Sequence, residues 1–104
     1  MVYAILNVHI RDPARFREYV RGHLPSIALH GGRVLFRSDE NEPVEGTWEP
    51  RLLVIHEWPT ETAFHDWYDS AEYRPWKSMR PLACDIDLVL MKGMLPTTAA
   101  SGTG

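Results

Sequence analysis

The sequence predicts an α+β fold in the order strand, helix, strand, strand, helix, strand, with one antiparallel four-stranded sheet and its helices on one face. Three observations carry this. Four short segments alternate apolar and polar residues as strands do, the segments between them repeat apolar residues at helical spacing, and Gly, Pro and Asp stand at the joints. That order is the split βαβ arrangement of the ferredoxin-like fold. Such a sheet is covered on one face only, so the other is expected to meet a second copy and close a dimeric α/β barrel with a pocket inside each half.

Tyr3 to Ile10 places Ala4, Leu6, Val8 and Ile10 on one face and Tyr3, Ile5, Asn7 and His9 on the other, a mixed face suited to a cavity wall. Asp12 reads as an N-cap and Pro13 as the first helical residue, because the carboxylate accepts from free amides and proline has no amide to leave unpaired. Phe16, Tyr19, Val20 and His23 then share a helix face. Pro25 is expected to bend or restart that helix before the Gly31-Gly32 turn.

The second strand, Gly32 to Arg37, sets Arg33, Leu35 and Arg37 against Val34 and Phe36, and the polar run SDENEPVEGTWEP after it reads as the most mobile loop. Leu52 to Trp58 is the third strand, ended by Pro59. Thr60 caps a helix through about Tyr68, whose inward face is Ala63, Phe64, Trp67 and Tyr68. Asp69 and Glu72 have capping-box spacing for a further short helix whose regularity Pro75 limits. Cys84 to Lys92 is the fourth strand, with Ile86, Leu88 and Leu90 opposite Asp85, Asp87, Val89 and Met91. Residues 1–95 form the domain, and the Thr/Ala/Ser/Gly tail over 96–104 is expected to be disordered.

At 104 residues, 44% hydrophobic and 24% charged, the chain has the composition of one soluble globular domain. Its longest apolar run, Leu52 to Ile55, cannot span a bilayer, and the opening MVYAILNVHI alternates like a strand instead of reading as a secretory signal. A formal charge of -3 without a dense basic block argues against a nucleic-acid surface. Arg11, Arg15, Arg17 and Arg21 are interleaved with Asp12 and Glu18, as on a solvated helix face. The single Cys84 excludes an intrachain disulfide and a multi-cysteine metal site, fits a reducing cytoplasm, and reads as a small core residue in preference to a nucleophile.

Asp12-Pro13 with Phe16 and Tyr19, Gly31-Gly32-Arg33, Glu45-Gly46 with Trp48, Arg51, Glu57-Trp58-Pro59, Ala63, Trp67-Tyr68, Ser70 with Tyr73, and Arg80 together form a specific pattern. On these residues the chain, from Tyr3 to Gly93, resembles the DUF1330 proteins of the dimeric α/β-barrel superfamily. Trp58 stands where that family more often has Phe, while His30, His56, His65 and Pro75 look particular to this sequence. The resemblance implies a homodimeric barrel but supplies no catalytic residue. The wider superfamily includes cofactor-free quinol monooxygenases, muconolactone isomerase-like enzymes, polyketide cyclases and haem-binding relatives, a range over which fold analogy says little about function.

Several residues could carry chemistry. Glu57 ends a buried strand and Glu45 precedes a loop glycine; partly buried carboxylates can act as general acids or bases, or they can pair structurally with Arg33, Arg51 or Arg80. His56 and His9 lie on strands, where a neutral imidazole could take a proton from a phenol or an acidic carbon, or simply belong to the core or rim. Arg33 and Arg80 offer planar donor forks for a carboxylate or enolate. Trp48, Trp58 and Tyr73, with Asn7 and His9, could bind a planar ligand. No metal-ligand spacing or phosphate-binding glycine loop appears, so no metal or cofactor is expected.

The leading reading is therefore a small cofactor-independent enzyme acting on a hydrophobic, oxygenated small molecule, as an isomerase, cyclase or monooxygenase-like catalyst. Glu57, His56 or Glu45 would act as acid or base, and Arg33 or Arg80 as anion stabiliser. The alternatives are a noncatalytic dimer that binds a metabolite or only stabilises itself or a partner, and a haem protein using His56 or His23 as axial ligand.

Overall fold

The computed structural model of the protein describes residues 1–93. Its elements are β1 (Val2–Ile10), α1 (Pro13–Leu29), β2 (Arg33–Ser38), β3 (Leu52–Trp58), α2 (Glu61–Tyr68), α3 (Arg74–Ala83) and β4 (Cys84–Met91). The strands form one sheet in the order β2-β3-β1-β4, with every neighbouring pair antiparallel. This is the ferredoxin-like α+β fold. The expected domain end at 95 and disordered tail lie outside the described residues.

Strand alternation divides the sheet as the sequence indicates. Leu6 pairs with Val54 on one side and Leu88 on the other, so Val2, Ala4, Leu6 and Val8 share the helix-covered face with Leu52, His56 and Trp58. Tyr3, Ile5, Asn7 and His9 share the opposite face with Leu53, Ile55 and Glu57 of β3 and with the Asp85 and Val89 rows of β4. Among the described residues no helix covers that second face, and Val89 and Met91 are exposed on it.

Helix α1 opens as expected, with Asp12 Oδ1 accepting from the Arg15 amide at 3.2 Å and Pro13 in the first position. It does not break at Pro25 but continues to Leu29. The missing amide is tolerated because Pro25 is exposed while Ser26 and Ile27 beside it are buried, so packing on both flanking turns outweighs the lost hydrogen bond. The helix then ends where left-handed backbone is needed: Gly31 has φ +84°, its amide donates to Ala28 O and that of Gly32 to Ile27 O, at 3.1 and 3.0 Å.

Two further local expectations change. Between Val34 and Phe36 the β2–β3 register slips by one residue, so Leu35 forms a bulge. Arg33 pairs with Glu57 and Phe36 with Ile55, whereas Val34 pairs with His56 and Arg37 with Val54. Phe36 thus falls on the open face and Arg37 on the helix face, opposite to simple alternation. The Asp69/Glu72 capping box also does not form: Asp69 closes α2, and Ser70 Oγ accepts from the Tyr73 amide at 3.1 Å instead. Glu72 faces His30 Nε2 at 2.8 Å. Pro75 sits in the first turn of α3, where it is compatible with the helix instead of limiting it.

The loop between β2 and β3, expected to be mobile, is tied down. Asn7 Nδ2 donates to Glu49 O, the Arg51 amide donates to Asn7 Oδ1, and Asn41 Nδ2 donates to both Ser38 O and Arg51 O. Arg11, read as part of a solvated helix face, instead donates to Pro81 O and Cys84 O at the C-terminal end of α3 and pairs with Asp85 at 3.0 Å.

Between sheet and helices lies an aromatic cluster. Trp58, Trp67 and Tyr73 are fully buried, with ring centroids 5.0 Å apart for Trp58–Trp67 and 4.1 Å for Trp67–Tyr73. Gly32 is part of this arrangement, since a Cβ there would lie 2.5 Å from the Trp58 ring. Gly32→Ala is expected to destabilise the protein by about 1–3 kcal/mol through overpacking, read as a lower urea midpoint; an unchanged midpoint would show that Trp58 can move aside.

Candidate functional site

A cavity of about 140 Å³ lies between α1 and the helix-covered face of the sheet. It is on the side opposite the open face, where the barrel pocket was expected. Large rings fill the space under α2 and α3, whereas Leu6, Val8, Val54 and Ile86 under α1 are aliphatic and leave room. Phe16, Tyr19 and Val20 close it from the helix, and its other polar walls are His23, His56 and Arg37. No Asp or Glu lines it.

His23 sits on the inward face of α1, stacked on Tyr19 with ring centroids 4.3 Å apart. Its Nδ1 lies 3.1 Å from Tyr19 O and 3.2 Å from Val20 O. Carbonyl oxygens only accept, so Nδ1 carries the proton and, in the neutral ring, Nε2 carries the lone pair. Burial lowers the proton affinity of His23, although the two carbonyls oppose the effect.

His56 is buried from β3, edge-on to Trp58 and Trp67 at 6.2 and 6.0 Å. Its Nδ1 is buried without a hydrogen-bond partner among the described residues. Trp58 Nε1 in the aromatic cluster is unpartnered in the same way, and an unpartnered buried polar atom of this kind costs about 1–3 kcal/mol. Burial, aided by nearby His23, pushes the His56 pKa down to about 4. Both imidazoles are therefore neutral at pH 7.

Behind His23 runs a buried polar chain. Tyr19 and Tyr73 hydroxyls are 2.6 Å apart, Arg80 Nη1 donates to Tyr73 at 3.0 Å, and Trp67 Nε1 donates to Ser26 Oγ, which donates to His23 O. Burial raises the pKa of both phenols, so they remain protonated donors. This chain fixes α1, α2 and α3 relative to one another and holds the Tyr19 ring against His23. Cys84 is buried, and burial raises its thiol pKa, which makes it an inert core residue.

The predicted site residues do not meet at one point in the chain. Of Glu57, His56, Glu45, Arg33 and Arg80, only His56 lines the cavity. Glu57 and Arg33 form an ion pair at 2.9 Å on the open face, Arg80 supports the phenol pair, and Glu45 is exposed in the loop. Trp58 and Tyr73 belong to the aromatic cluster. Asn7, His9 and Trp48 do converge, lining a polar depression of about 450 Å³ on the open face with Arg51, Asp85 and Asp87. Tyr19 and Arg37 were not singled out as site residues, and His23 was named only as a haem ligand in an alternative reading. Periodicity had already put His23 and Tyr19 on the inward helix face, and a histidine among apolar neighbours was the available signal.

Among the described residues no group of three His, Cys, Asp or Glu side chains is placed to hold a metal ion. The haem reading, with His56 or His23 as axial ligand, does not fit this cavity: a space of about 140 Å³ is far smaller than a porphyrin. An apolar cavity of about this size holds one six-membered ring.

The chain belongs to the DUF1330 family, a domain of unknown function, whose family model matches residues 1–94. No curated protein matches it. Among solved structures it is similar to RPA0582, a protein of unknown function from Rhodopseudomonas palustris, with a TM-score of 0.77 and 20% identity over 91% of this chain and 83% of that one. SnoaB, a cofactor-independent oxygenase from Streptomyces nogalater, superposes with a TM-score of 0.64 and 13% identity, covering 93% and 96%. An antibiotic biosynthesis monooxygenase does so at 0.60 and 15%, covering 91% and 100%. At these identities the likeness is one of fold. Among the described residues no helix is long and apolar enough to cross a membrane.

The buried histidines make stability pH-dependent. Below the unfolded-state pKa of about 6.5 the unfolded chain binds a proton that folded His56 takes up only near pH 4, so stability falls as pH drops through that window. The loss should approach about 3 kcal/mol for His56, with His23 adding to it. Urea titrations at several pH values should show this slope, and His56→Phe should flatten it; an equal slope in the variant would refute the assignment.

Proposed function

We propose that this protein is a small cofactor-independent enzyme acting on a hydrophobic, oxygenated, single-ring molecule held under α1. The observation that carries the reading is that two buried imidazoles, His56 and His23, line one largely apolar cavity that no carboxylate enters. A ligand hydroxyl or carbonyl in the cavity could hydrogen-bond to one of these rings.

In this reading His23 is the base. Its Nε2 is free to take a proton from a phenol or an activated C–H, and the imidazolium formed would be stabilised by the two carbonyls at Nδ1 and by the face of Tyr19. His56, held near pKa 4, is the weaker base and serves to hydrogen-bond the substrate oxygen. The resulting carbanion or phenolate could be reprotonated elsewhere, cyclise, or react with dioxygen, and the fold likeness to a cofactor-independent oxygenase makes the last the first to test.

The test is turnover of single-ring phenols, hydroquinones and 1,3-diketones under air, followed by chromatography. Turnover should fall by 10²- to 10⁴-fold in His23→Gln. Binding without turnover of any probe would favour instead the noncatalytic metabolite-binding dimer, a reading supported by the locked Glu57–Arg33 pair.

A homodimer formed through the open face is also part of this proposal, because Ile5, Ile55, Phe36 and Val89 make an apolar surface that no helix among the described residues covers. Light scattering should find a dimer, and Val89→Glu a folded monomer; a dimeric variant would place the interface elsewhere. The buried lone thiol fits a cytoplasmic location, which we likewise propose.

A further inference from the structure

We infer that Arg37 is the recognition residue for an anionic group, and that the ligand of the cavity under α1 is a compact apolar carboxylate. This deepens the function proposed above and rests on it. The geometry begins with the bulge at Leu35. Without it, strand alternation would send Arg37 to the open face beside Arg33; with it, Arg37 stands opposite Val54 and lines the cavity. Bulges that re-aim one side chain are a recurrent device beside binding sites.

Lining the cavity without a charge partner separates Arg37 from the other arginines; Arg17, Arg21, Arg51 and Arg74 are also without an ion pair among the described residues, but none of them lines it. Arg33 is paired with Glu57, Arg11 with Asp85 and Arg15 with Asp12, while Arg80 donates to Tyr73. Among the described residues the Arg37 side chain forms neither an ion pair nor a hydrogen bond. Its side chain is exposed, so it marks the solvent-facing mouth, and the cavity behind it contains no carboxylate and two neutral imidazoles. The one formal charge lining the cavity is therefore positive, and it is met before a ligand reaches His23 or His56.

A guanidinium fork matches a carboxylate through two parallel charge-assisted hydrogen bonds. A phosphate, carrying more charge, would call for a second cationic side chain, and none lines this cavity. The volume of about 140 Å³ accepts a single ring, leaving the acid group at the mouth. The ligand class is thus a monocyclic carboxylate: ring inside, carboxylate on Arg37, and any ring oxygen directed toward the histidines.

The direct test compares benzoate with benzamide, a neutral molecule of nearly the same shape, by NMR titration at low salt and pH 7.5. Benzoate should bind about tenfold more tightly or better, and its advantage should shrink in high salt. Arg37→Gln should abolish the preference, bringing benzoate to the affinity of benzamide, and Arg37→Lys should keep part of it. Equal affinities in the wild type, or a preference that survives Arg37→Gln, would overturn the inference while leaving the cavity as a neutral-ligand site. If neither probe binds, the cavity reading fails and the inference with it.

Discussion

Everything under α1 depends on how the stacked rings of Trp58, Trp67 and Tyr73 hold the helices off the sheet. These side chains are fully buried and fill the layer beneath α2 and α3, so the sheet cannot close further against them. Tyr73 carries the same spacing across to α1 through the 2.6 Å contact with Tyr19, and Trp67 does so through Ser26. Where the rings end, aliphatic side chains meet α1 and leave a cavity. The core and the candidate site are consequences of one packing arrangement.

That arrangement also sets the chemistry available. A cavity this apolar keeps imidazoles neutral, which preserves their lone pairs but weakens them as bases. The two histidines escape this limit unequally. His23 has carbonyl partners on Nδ1 that favour the protonated ring, whereas His56 has none and is driven to about pKa 4. In the proposed reaction, proton transfer accordingly falls to His23 and oxygen binding to His56. The open face follows a different logic: Glu57 and Arg33 satisfy each other there, and the surrounding apolar side chains suit contact with a second copy.

The fold was legible because local periodicity and global topology agree. Alternation in Tyr3–Ile10 and Cys84–Lys92 placed the core faces correctly, and Asp12-Pro13 and Thr60 marked helix starts whose caps form. The site was less legible because its decisive features are not periodic. A one-residue bulge reverses Phe36 and Arg37, and nothing in the strand's own sequence announces it. Pro25 looked like a helix break, yet buried Ser26 and Ile27 hold the helix together around it. The Tyr19–Tyr73 contact joins residues 54 apart in sequence, beyond the reach of local pattern. Glu57 drew attention as a buried-strand carboxylate, but which face a strand residue takes decides whether it meets a cavity or an arginine.

The central claim is that ligands bind between α1 and the sheet and contact the two histidines. Long-range ¹H–¹⁵N spectra of the imidazole nitrogens, recorded while a single-ring phenol is added, test it most directly. The account predicts shifts at His23 Nε2 and His56 with little change at the Trp48 indole on the open face. Shifts centred on Trp48 and His9, with both buried histidines unmoved, would contradict it and move the site to the opposite side of the sheet.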